Sequence, residues 1–66
     1  MIREVLIKKL EGEVAAIEAN INTFLTSAPT AVPDHIDYVG TVEKELEKLS
    51  STKGKLVSLK NIKPID

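Results

Sequence analysis

The residues of this chain that could do chemistry gather in one place, Asp34-His35-Ile36-Asp37. A histidine flanked by carboxylates is raw material for general acid–base catalysis or for a divalent-metal site. Helical spacing pulls the group apart, because Asp34 and Asp37 share a face and His35 points elsewhere. A metal centre would need ligands from another chain, since the sequence has one histidine and no cysteine. Asp34 and Asp37 instead stand where a helix N-cap and its first turn place acids. Gly12, Gly40 and Gly54 are isolated and lack the Gly-x-x-x-x-Gly-Lys spacing of a phosphate loop. The expectation is a protein that is no enzyme, with no catalytic residue, no metal and no cofactor.

What the sequence does organise is its apolar side chains. Ile7, Leu10, Val14, Ile17, Ile21, Phe24 and Ala28 recur at alternating steps of three and four residues. That rhythm sets them along one stripe of an α-helix. Residues 2–26 contain no proline and are rich in alanine, leucine, glutamate and lysine, all good helix formers. Glu4 precedes Lys8 by four residues, the favourable order for an exposed ion pair. Pro29 and Pro33 break the pattern, and each pushes the preceding residue toward extended geometry. A second stripe, Val39, Val42, Leu46, Leu49 and Leu56, follows. The spacing predicts a second helix over about 35–61, entered at Asp34 and ended before Pro64.

Two features disturb that second helix. Ser50-Ser51-Thr52-Lys53-Gly54 lowers helix propensity, and Leu56, Leu59 and Ile62 resume an apolar face with an apparent slip of phase. One continuous helix is the expectation, with a break near Gly54 as the rival. The three helical glycines each cost about 1 kcal/mol relative to alanine. Close passage of another helix, a kink at Gly54, or tolerated weakness would each account for them. Lys53, Lys55, Lys60 and Lys63 form a basic run. Such a run complements the negative end of a helix, or else meets an acidic partner or a phosphate.

The fold class is therefore all-α: one domain, residues 1–66, built as an antiparallel two-helix hairpin. A domain of this length buries only about 60% of its unfolded surface. Without cysteine for disulfides or thiolate zinc sites, oligomerisation or docking on something larger is left to complete it. The first helix is also more apolar than one seam needs, because Val5, Leu6, Ala16 and Leu25 flank its stripe. The expected protein interface thus comprises Val5, Leu6, Ile7, Leu10, Val14, Ala16, Ile17, Ile21, Phe24, Leu25, Val39, Val42, Leu46, Leu49 and Leu56.

Composition narrows the partners. Nine basic and ten acidic side chains give a net charge of −1, so no strong field draws the chain to nucleic acid or anionic lipid. Phe24 and Tyr38 are the only aromatics, too few for a platform that stacks bases. No apolar run approaches the length of a membrane span, and the opening residues read as a helix start and not as a signal peptide. Protein partners are expected, as further copies of the chain or a larger scaffold, with no nucleic acid and no membrane.

The opening Ile2-Arg3-Glu4-Val5-Leu6-Ile7-Lys8-Lys9-Leu10-Glu11, with Tyr38-Val39-Gly40-Thr41-Val42 in the second helix, resembles small helical-hairpin proteins encoded by tailed bacteriophages. The resemblance implies a small assembly or accessory role in a phage particle, and a location in the virion or the host cytoplasm. A non-enzymatic structural component is thus the leading expectation. The alternative is a small regulator, antitoxin-like or directed against a host factor, that binds a protein target through its basic tail.

Overall fold

The computed structural model describes residues 1–26 and 35–63, of which the side chains of 35–37 are not included. The described residues form two antiparallel helices, α1 (Ile2–Thr26) and α2 (His35–Asn61). The expected hairpin and both helix ranges are found. Ala28, Pro29, Pro33, the Asp34 cap and Pro64 lie outside the described residues, as do the side chains of His35 and Asp37.

At 1.5 Å of rise per residue, α1 and α2 are about 37 and 40 Å long. α1 opens with the Val5 amide donating to the Met1 carbonyl at 3.1 Å. Glu4 sits in its first turn, where a negative charge meets the positive helix end. Near its other end the Thr23 and Thr26 hydroxyls donate to the Ala19 and Asn22 carbonyls, at 2.9 and 2.8 Å. These hydroxyls are satisfied inside the helix and do not compete with it. α2 runs through Gly54 without a break and closes on a tighter turn, the Ile62 amide donating to the Leu59 carbonyl at 3.2 Å.

The two helices meet along one seam. On α1 it comprises Ile7, Leu10, Val14, Ile17, Ile21 and Phe24, as the spacing predicts, with half-buried Arg3 extending it toward the N-terminus. On α2 the seam residues, buried or half-buried, are Tyr38, Val42, Glu45, Leu49, Thr52, Leu56 and Leu59, again at steps of four and three, with half-buried Gly40 off that line. Of all the seam's apolar side chains only Leu10 and Ile21 are buried, 6% and 8% exposed.

This corrects the expected second stripe in one respect. Val39 and Leu46 stand outside the seam, 58% and 48% exposed, and Tyr38 and Glu45 occupy it instead. The cause lies further along the helix. A straight seam through Val39 and Leu46 would go on to Lys53 and Lys60 and strip two ammonium groups of water. One residue earlier, the same line reaches Thr52 and Leu59, which tolerate burial. The apparent slip of phase near Gly54 disappears in this register.

A β-carbon on Gly12, Gly40 or Gly54 would meet no described atom within 4 Å. Within the hairpin, none marks a close passage of helices.

Candidate protein interface

The hairpin is held at three levels. Phe24 and Tyr38 pack edge-to-face near the connection, ring centroids 5.4 Å apart and planes at 82°. Such a pair contributes about 0.5–1.5 kcal/mol beyond its buried area. Midway, the Lys53 ammonium lies 3.4 Å from Glu18, and the Lys60 ammonium lies 3.6 Å from Glu11. Each acid and each base steps by seven residues, so one edge of the hairpin carries a ladder of opposite charges.

At the open end Arg3 reaches across from α1. Its guanidinium donates to the Ile62 carbonyl at 2.7 Å and to the Lys60 carbonyl at 3.1 Å. The last carbonyls of a helix have no partner inside it and carry its negative pole. A forked cation satisfies both needs at once. Of the basic run, Lys60 stands in the last turn of α2, as the helix-end reading expects; it and Lys53 also pair with acids on α1, and the arginine of the opposite helix binds the carbonyls. The expected Glu4–Lys8 pair is not among the ion pairs of the described residues. The third of those pairs, Lys48 with Glu45 at 3.5 Å, lies within α2. It neutralises a seam carboxylate whose side chain is only 16% exposed.

The expected interface residues sort onto separate surfaces. Ile7, Leu10, Val14, Ile17, Ile21 and Phe24 meet α2 in the seam, with Val42, Leu49 and Leu56 on the α2 side. Leu25, Val39 and Leu46 line the edge that bears the charge ladder, beyond its last rung toward the connection. There Leu25, Tyr38, Val39, Val42 and Glu43 enclose an open apolar groove of about 260 Å³. Val5 and Ala16 stand on the outer face of α1, away from α2, and Leu6 borders that face. Met1, Ile2, Val5, Leu6 and Lys9 line a second apolar groove of about 370 Å³.

Arg3, Glu11, Glu18, Tyr38, Glu45, Thr52 and Leu59 hold the hairpin without having been singled out as interface residues. A strict seven-residue ladder extended backward from Leu56 and Leu59, with polar residues allowed on it, would have found the last four. A ladder of acids on one helix against lysines on the other would have found Glu11 and Glu18. Arg3 carries no such signal.

Among the described residues no group of three or more potential ligands could hold a metal ion, and no helix is long and apolar enough to cross a membrane. The surfaces that remain are apolar and suit helix–helix contact. Comparison with protein-family models, with curated proteins and with solved structures finds no match for the chain.

Proposed function

We propose that this protein is a small structural or accessory component of a larger assembly, acting without catalysis by packing its hairpin against neighbouring helices. One observation carries the reading. Among the described residues the hairpin buries two large apolar side chains and leaves Met1, Ile2, Val5, Leu6, Leu25, Val39, Leu46, Val57 and Ile62 exposed. A compact monomer of 7.2 kDa would expose about 4,100 Å². This chain exposes 5387 Å², roughly 1,300 Å² more, which is above the about 800 Å² that a standard protein–protein interface removes from each partner. The resemblance to tailed-phage hairpin proteins makes a virion the first setting to examine.

A regulator reading its target through a detachable basic tail has less support. The stretch from Ser50 to Asn61 is part of α2 and packs on α1 through Thr52, Leu56 and Leu59.

Sedimentation velocity from micromolar to millimolar concentration is the test. A discrete oligomer with a helical circular-dichroism spectrum is expected. A stably folded monomer across that range would overturn the proposal.

A further inference from the structure

The outer face of α1 has a repeat of its own. Ile2, Val5, Lys9, Gly12, Ala16, Ala19 and Thr23 follow steps of three, four, three, four, three and four, and every one is exposed. The row is opposite the seam on the helix and touches nothing in the hairpin. It is bulky at one end, where Ile2 and Val5 join Met1 and Leu6 around the 370 Å³ groove, and small at the other, where Gly12, Ala16 and Ala19 lie. Its one charge is Lys9.

We infer that this face binds the same face of a second copy, antiparallel, about a two-fold axis between Lys9 and Gly12. The inference rests on the assembly reading above and names its partner. Three observations favour this occupant and this direction. In the antiparallel register Ile2 falls on Ala19, Val5 on Ala16 and Lys9 on Gly12, so each large residue meets a small one, as close packing requires. A parallel pair would set Lys9 against Lys9 and face Gly12, Ala16 and Ala19 with their equally small counterparts, leaving voids. Charge agrees with size. Lys9 and Glu13 have no ion-pair partner among the described residues, and within one helix they stand in the less favourable order for pairing. The antiparallel register brings Lys9 of each copy beside Glu13 of the other, twice by symmetry. The third is area: the surplus of roughly 1,300 Å² per chain is enough to supply about 800 Å², the share that a standard dimer takes from each partner.

The chain has no native cysteine, so single cysteines report the geometry cleanly. Val5→Cys and Ala16→Cys chains are mixed and oxidised, and the crosslinked species are resolved by mass. The mixed Val5→Cys/Ala16→Cys disulfide is expected to dominate over either homodimer. Dominant Val5→Cys homodimers would mean a parallel pair and overturn the inference. In parallel, Ala16→Lys is expected to weaken self-association roughly tenfold or more while helicity is kept. Lys9→Glu is expected to weaken it too, and adding Glu13→Lys to restore it. An oligomer indifferent to Ala16→Lys, with no mixed crosslink, would sink this interface and leave the assembly reading standing. A monomeric wild-type chain would sink both.

Discussion

α1 and α2 are nearly equal in length and share one seam, yet they are built differently. From Ile7 to Phe24 the seam positions of α1 are apolar at every step, with half-buried Glu13 beside them. Those of α2 admit Glu45 and Thr52. Away from the seam the contrast grows. The outer row of α1 is Ile2, Val5, Lys9, Gly12, Ala16 and Ala19, whereas α2 presents Lys44, Glu47, Ser51, Gly54 and Ser58, all exposed. α2 is thus a one-sided helix, wet on its back, that covers one side of α1. α1 is apolar on two opposite sides, and its own hairpin covers only one. The comparison teaches that a hairpin can be locally complete and still leave a second, largely uncharged side of one helix uncovered.

The largest effect should come from charging the covered side. Ile21 is 8% exposed, and a carboxylate at that position loses its water without gaining a partner. A cost of several kcal/mol follows. A two-helix core has little stability in reserve, so Ile21→Asp should leave the chain unfolded at 25 °C by circular dichroism. Val39→Asp places the same charge on an edge position already 58% exposed and should shift stability by no more than about 0.5 kcal/mol. Equal losses from the two variants would show that the seam runs through Val39 after all.

That pair of positions also shows how far the sequence reaches. The α1 seam was legible residue by residue, because one stripe there is apolar at every step. α2 offers two competing stripes. Val39 and Leu46 look better than Tyr38 and Glu45 when only hydrophobicity is weighed, and the choice is settled by Lys53 and Lys60 one and two heptads on. The helix boundaries were legible from the prolines and the propensities. Arg3 was not, since its acceptors are backbone carbonyls of residues 60 and 62, and carbonyls leave no trace in residue types. The outer row of α1 was visible only in part, as Val5 and Ala16. Its regularity emerges once the seam fixes which way the helix faces.

Intermediate effects test the ends and the backs of the two helices. Arg3→Ala removes both donors from the C-terminal carbonyls of α2 and should cost about 1 kcal/mol. Hydrogen exchange should quicken at Leu59–Ile62 and not around Val42. Protection lost evenly along α2 would mean that Arg3 supports the whole hairpin. On the back of α2, Gly54→Ala should stabilise by about 0.5–1 kcal/mol, because the new methyl meets open space and the unfolded chain loses freedom. Its self-association should not change. A destabilised Gly54→Ala would place a partner against the back of α2 and erase its contrast with α1.

The smallest effect belongs to the charge ladder between the helices. All four side chains of Glu18–Lys53 and Glu11–Lys60 are about half exposed, between 51% and 52%. Exposed pairs of this kind couple by about 0.2–1 kcal/mol, and molar salt screens them. A double-mutant cycle of Glu18→Gln and Lys53→Met should therefore give a coupling of a few tenths of a kcal/mol that fades as salt is added. The ladder does not set the register by itself, because a slip of seven residues would place Lys53 against Glu11 and Lys60 against Glu4. Swapping Glu18→Lys with Lys53→Glu keeps both rungs, one of them reversed, and should leave the melting temperature nearly unchanged, whereas Glu18→Lys with Glu11→Lys sets like charges on both rungs and should lower it. A cycle energy well above 1 kcal/mol, persisting in salt, would mean that the charged edge, and not the Leu10–Ile21 seam, fixes how α2 lies on α1.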